Sequence, residues 1–199
     1  MQPCAIIPVK RLAYSKARLS PSLGPSERRD LTLKMLRHVL DVVTDVAGGV
    51  VVTGSDREVE EASKEFGASF ELDQSNSLNR AIRQAIRRCV VRGFDSVLVV
   101  AADLPLLSAC ELKKMMDDTG GASIVICPSK DCGTNALYLC PPGSIQVSFG
   151  RRSLISHLKS AMSSGRGFKL YWSPGLAFDV DTVADLKLLR GKGSLRSWS

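Results

Sequence analysis

Short apolar runs alternate with amphipathic stretches almost from one end of the chain to the other, and that alternation limits the fold more than any other feature. Ala5-Ile6-Ile7-Pro8-Val9 reads as a buried strand. A basic loop follows, then a helix over 26–46 opened by Pro25-Ser26-Glu27, with Leu31, Leu36, Val39, Leu40, Val43 and Val46 at helical spacing. The pattern next predicts a strand over 49–53, a helix over 56–66 and a short strand over 68–72. Residues 78–92 give the clearest amphipathic helix. Leu78, Ala81, Ile82, Ala85, Ile86 and Cys89 form one stripe, and Arg80, Arg83, Arg87 and Arg88 face away from it.

The run from Ser96 to Ala101 is apolar enough to require a central strand covered on both faces. Further strands are expected over 123–128, 135–140 and 168–172, with helices over 153–164 and 182–190. Strands alternating with helices imply an α/β fold, a three-layer α/β/α arrangement around a mostly parallel sheet. No shift in composition marks a linker. Residues 1–190 therefore read as a single domain, followed by a flexible basic tail over 191–199.

The 199 residues, 44% hydrophobic, suffice for a substantial core. The longest apolar runs, such as Val97 to Ala102, fall far short of the ~20 residues that span a bilayer. The N-terminus carries no signal-peptide pattern, so a cytoplasmic protein with no membrane partner is expected. Lys and Arg number 27 against 20 Asp and Glu, a net charge of +7 that attracts anions. Aromatic residues make up only 6% and the arginines are dispersed, which argues against a nucleic-acid surface. The six cysteines have no framework spacing, and His38 and His157 lie far from Cys127 and Cys132. Buried free thiols are expected rather than disulfides or a zinc site.

On a sheet of this kind ligands bind beyond the carboxyl ends of the strands. Three clusters fall there. After the first strand, Lys10, Arg11, Lys16 and Arg18 lie within nine residues, offering cations to a polyphosphate or simply forming a solvated basic loop. The loop has neither the Gly-x-x-x-x-Gly-Lys-Ser/Thr nor the Gly-x-Gly-x-x-Gly pattern. After the central strand comes Asp103-Leu104-Pro105, and before the last helix Asp179-Val180-Asp181-Thr182. An extended i, i+2 pair puts Asp179 and Asp181 on one face, where they could share a cation with Asp103. Alternatively, Asp181 is only the N-cap of that helix. Gly133-Thr134-Asn135 and Phe149-Gly150-Arg151-Arg152-Ser153 suggest a second anion site at a helix N-terminus, or else a turn and a plain Ser153 cap. A basic loop opposite three aspartates suits nucleotidyl transfer with a magnesium ion better than it suits a core.

Together these motifs resemble a known family. Ile7-Pro8-Val9-Lys10 with Ser15-Lys16-Ala17-Arg18-Leu19, Leu78-Asn79, Asp103-Leu104-Pro105, Gly133-Thr134-Asn135, Phe149-Gly150 and Asp179-Val180-Asp181-Thr182 occur in the order found in the 2-phospho-L-lactate guanylyltransferases of deazaflavin coenzyme F(420) synthesis. That family has the nucleotide-diphospho-sugar-transferase-like fold, shared with the guanylyltransferases of molybdenum cofactor synthesis. The resemblance spans residues 4–188. Two positions depart from it: Ser77 stands where glycine is expected, and Val183 where proline is usual.

The resemblance implies transfer of GMP from GTP to the phosphate of 2-phospho-L-lactate or phosphoenolpyruvate, with release of pyrophosphate. It implies that Pro8, Val9, Lys10, Lys16 and Arg18 hold the nucleotide, the three cations also serving catalysis, and that Leu78 and Asn79 lie by the guanine and ribose. Asp103, Asp179 and Asp181 would hold magnesium, and Thr134, Gly150 and Ser153 the phosphate of the acceptor acid. The nucleophile is itself a phosphate, so no general base is needed and neither histidine is assigned a role. The implied partners are GTP, the phosphorylated acid and the next enzyme of the pathway; separately, an apolar helix face or segment 141–149 could mediate a homodimer. Molybdenum-cofactor and sugar-1-phosphate relatives usually carry glycines in the first loop, and 10–18 has none.

Overall fold

In the computed structural model, which describes residues 2–75 and 77–191, the apolar runs pair into one seven-stranded sheet. The strands are β1 (Cys4–Pro8), β2 (Gly49–Gly54), β3 (Ser69–Leu72), β4 (Val97–Val100), β5 (Ile124–Pro128), β6 (Thr134–Leu139) and β7 (Phe168–Leu170). Their order is β3-β2-β1-β4-β6-β5-β7. Only β6 runs antiparallel to its neighbours; the other four pairings are parallel. The helices are α1 (Pro25–Thr44), α2 (Arg57–Glu65), α3 (Leu78–Val91), α4 (Ala109–Asp117), α5 (Ser153–Ser163), the single turn α6 (Pro174–Ala177) and α7 (Val183–Gly191). Of the tail expected over 191–199, only Gly191 is among the described residues, and it closes α7.

Both faces of the sheet are covered, as the apolar β4 requires. Alternate residues of the strands separate into two cores. Ala5, Ile7, Leu98 and Val100 pack with α1, α2 and α4, whereas Cys4, Ile6, Val97 and Val99 pack with the Ile82–Ala85–Cys89 stripe of α3 and with Ala161 of α5. A third, smaller core joins Leu19 and Leu23 of the basic loop to Met35 of α1 and to Val180, Leu186 and Leu189 around α7. That core ties the first loop to the segment carrying Asp179 and Asp181.

The strand order reverses between β1 and β4, which opens a crevice at their carboxyl ends. Beyond the turn α6 and the antiparallel course of β6, two features were not read from the sequence. One is α4, although Ser108 and Glu111 form a reciprocal capping box at its start. The other is that the basic loop is a pair of 3₁₀ turns, Leu12–Tyr14 and Ala17–Leu19. The cysteines are free, as expected, but Cys110 and Cys132 are exposed rather than buried.

Candidate active site

Leu12 and Leu19 are buried anchors at the two ends of the basic loop, so the cations between them are held over the crevice. The bend between the two 3₁₀ turns falls on Lys16, whose φ of 51° is left-handed without being glycine. Ser15 locks the turn by donating to Leu12 O at 2.8 Å and accepting from Thr32 Oγ1 at 3.1 Å. The Lys16 side chain is thereby turned inward. It donates to the carboxylates of Asp103 and of Asp181, the latter at 2.8 Å. Lys10 and Arg18 stay exposed at the rim.

The loop carrying Asp179 and Asp181 is fixed from two sides. Asn135 Nδ2 donates to Leu176 O at 2.9 Å, and Val180 N to Asp103 O at 3.3 Å. Asp181 is not the N-cap of α7. Thr182 and Asp185 make that cap between them: Asp185 N donates to Thr182 Oγ1 at 3.3 Å, and Asp185 Oδ2 accepts from Thr182 N, Thr182 Oγ1 and Asp181 N at 2.7, 2.8 and 3.0 Å. The Asp181 carboxylate is left for the crevice. Lys130, at the end of β5, serves the other side. It donates to Asp179 O at 2.6 Å, pairs with Asp185 Oδ1 at 2.7 Å and stands 5.6 Å from the Phe178 ring centre.

The carboxylates differ in how well they are satisfied. Burial opposes the charge on Asp181, but Lys16 outweighs it and holds the carboxyl below its ordinary pKa. Burial also opposes the Lys16 ammonium, and the two carboxylates overcome it, so the lysine stays charged. Asp179 goes the other way. Burial, reinforced by the negative charge of Asp103, pushes it above the ordinary range in spite of Lys130. Its Oδ1 is buried without a hydrogen bond, Lys130 Nζ being 3.7 Å away. One oxygen each from Asp103, Asp179 and Asp181 lies within 4.8 Å of the others. Three hard oxygen donors, one of them an orphaned buried anion, are a donor set suited to a magnesium-like cation.

Across the crevice the buried groups are neutral, and the charged Asp131, Arg151 and Arg152 line the cavity at its exposed margin. Gly133 turns the chain into β6, and a Cβ there would meet Ser129 Oγ at 2.5 Å. Gly150 has a φ of 128°, open to glycine alone without strain. Ser153 is the first residue of α5 and does not cap it; the N-cap is Arg152, in a left-handed conformation with φ 55°. The buried Ser153 hydroxyl instead donates to Thr134 Oγ1 at 3.1 Å.

Pro8, Val9, Lys10, Lys16, Arg18, Leu78, Asp103, Thr134, Gly150, Ser153, Asp179 and Asp181 all line one cavity of about 530 Å³. A side cavity of about 440 Å³ shares Val9, Lys10 and Leu78 with it and ends at Thr53, Ser55 and Asp73. Asn79, next to Leu78, has a partner that the sequence did not show. Its carboxamide donates to Phe149 O at 2.9 Å and accepts from Phe149 N at 2.7 Å, so it clasps the loop that carries Gly150. Sequence reasoning passed over Lys130, Asp185 and His157. Lys130 follows a strand-end proline much as Lys10 does, Thr182-x-x-Asp185 is a capping pattern, and Ser153 and His157 are spaced i, i+4 on one helix face.

The chain matches a family model described as guanylyl transferase CofC like, over residues 3–196. It is 37% identical over 96% of its length to a phosphoenolpyruvate guanylyltransferase of Sphaerobacter thermophilus, covering 94% of that protein. It is 35% identical over 98% of its length to a 2-phospho-L-lactate guanylyltransferase of Methanothermobacter thermautotrophicus, covering 87% of that one. A solved nucleotidyl transferase from the latter organism has the same fold, with a TM-score of 0.72 at 16% identity over 98% of this chain and 99% of that one.

Proposed function

The chain belongs to the CofC-like guanylyl transferase family, and we propose that it transfers GMP from GTP to the phosphate of 2-phospho-L-lactate or phosphoenolpyruvate, releasing pyrophosphate, in coenzyme F(420) synthesis. The observation that carries this reading is one cavity, at the carboxyl ends of β1 and β4, with a cationic loop, three carboxylates and the Thr134 and Ser153 hydroxyls around the same space. Relatives of both acceptor types lie at similar identity, so the acid is chosen by experiment.

In this reading Lys10, Lys16 and Arg18 receive the triphosphate, and the side cavity past Leu78 receives the nucleoside. Asp103, Asp179 and Asp181 hold magnesium, which when bound lowers the charge of the triphosphate and draws electron density from the α-phosphorus. Thr134, Ser153 and the Gly150 backbone hold the acceptor phosphate. With a second pKa of about 6, that phosphate is mostly dianionic at pH 7 and attacks without a general base. The barrier is the approach of two polyanions. The chain lowers it by positioning and by fixed positive charge in a crevice that needs no rearrangement of solvent. No helix among the described residues is long and apolar enough to cross a membrane.

The test is pyrophosphate release from GTP with magnesium, offering 2-phospholactate, phosphoenolpyruvate and 3-phosphoglycerate separately. Product masses are recorded, with the next enzyme of the pathway present to trap the labile product. A GMP adduct of one acid is expected. Turnover only with a sugar phosphate or molybdopterin would move the activity to other enzymes of the fold, and silence with every acceptor would overturn the proposal.

A further inference from the structure

His157 is fully buried on α5, behind the wall that carries Thr134 and Ser153. Its Nε2 lies 2.9 Å from Ser148 N, and its Nδ1 lies 2.9 Å from Thr134 Oγ1. A backbone N–H only donates, so Nε2 is the acceptor and the ring is neutral with its proton on Nδ1. Nδ1–H then donates to Thr134 Oγ1, which also receives the Ser153 hydroxyl at 3.1 Å.

Proton bookkeeping gives this arrangement a consequence. Thr134 and Ser153 have two hydroxyl protons and use one between them. Because His157 gives a proton to the pair instead of taking one, the second hydroxyl proton is left for a ligand in the cavity. The opposite tautomer would absorb it, and the pair would present only lone pairs to an anion. The Phe149 ring, 4.8 Å from the imidazole centre and edge-on at 71°, holds the ring plane, and Asn79 clasps Phe149 by its backbone.

We propose that His157 is a positioning residue for the acceptor acid: the Ser148 amide fixes its tautomer, and through Nδ1–H it turns a hydroxyl of the Thr134–Ser153 pair toward the acceptor's phosphate. The inference rests on the acceptor site proposed above. It assigns the histidine no proton transfer and no contact with substrate.

Two variants separate this role from support of the fold. Asn places an amide N–H near the position of Nδ1, whereas Gln reaches the position of Nε2. For His157→Gln the KM for phosphoenolpyruvate or 2-phospholactate, whichever the wild type uses, is expected to rise about tenfold, with the KM for GTP changed by less than about twofold. For His157→Asn the acid KM is expected to stay within about threefold of wild type. Calorimetric titration of the same acid into each protein, without GTP, should give the same ranking. Equal loss in both variants, an unchanged acid KM in His157→Gln, or a parallel rise in the GTP KM would overturn the role. If the wild type neither binds nor turns over any of the acids, the functional reading fails first and this inference with it.

Discussion

The two walls of the crevice are built on opposite principles. On one side six charged side chains crowd together: Lys16 with Asp103 and Asp181, and Lys130 with Asp185 and, more distantly, Asp179. On the other, Thr134, Ser153 and His157 are buried and neutral, linked by directed hydrogen bonds. The charged wall does not balance itself, since Asp179 Oδ1 stays orphaned. The neutral wall keeps one donor in reserve. A wall that stabilises a polyanion must carry charge that a ligand completes. A wall that recognises a small acid needs protons pointed in known directions, and here the charges of Arg151 and Arg152 stay at its exposed margin.

The charged wall should give the largest effects. Asp103→Asn and Asp179→Asn should each lower turnover by about 10² or more. They should part in chelator-treated thermal melts. Asp179→Asn removes an anion that burial already disfavours, so the melting temperature holds or rises. Asp103→Asn strips Lys16 of a partner, and the temperature falls. Shifts of the same sign in both would erase the asymmetry drawn here. Lys16→Ala comes next: it should raise the KM for GTP and lower kcat, and the melting temperature lost in chelator should return on adding magnesium, which relieves the two stranded carboxylates. A melt insensitive to magnesium would contradict that account.

Across the cavity the effects should be smaller and confined to one substrate. Thr134→Val removes a hydroxyl that donates to an anion, worth about 1.5–3 kcal/mol, so the acid KM should rise roughly ten- to hundredfold while the GTP KM holds. Movement of both constants would dissolve the division into two walls. The smallest effect is on stability against pH. Burial depresses the His157 pKa to about 4 from an ordinary 6.5. The unfolded chain therefore binds the proton first, and stability present above pH 6.5 is lost as the pH falls toward 4, by at most about 1.4 kcal/mol per unit. His157→Asn should flatten this limb of a denaturation series. A variant as acid-sensitive as wild type would place the titration elsewhere.

What could be read beforehand divides along the same line. The strand-end aspartates and the cations of the first loop stand out because a charge next to a buried strand has few uses, and local pattern registers it. Lys130 and His157 carry no such mark. Lys130 lies beside a hydrophilic turn, and His157 sits in a helix where a buried neutral histidine is unremarkable until its partners from β6 and from the segment before α5 are known. The clasp made by Asn79 was not legible for the same reason: the partner that occupies its carboxamide, Phe149, is 70 residues away.

By itself the sequence determined the alternation of strands and helices, the covered central strand and the motifs at the strand ends, because hydrophobic period and turn chemistry act over a few residues. Only the tertiary structure decided the antiparallel insertion of β6, the pairing of Lys16 with carboxylates 87 and 165 residues distant, and the tautomer of His157. Those depend on which groups meet across the sheet, and the free energy of burying a charge or directing a proton is set by that meeting rather than by either residue's neighbours in the chain.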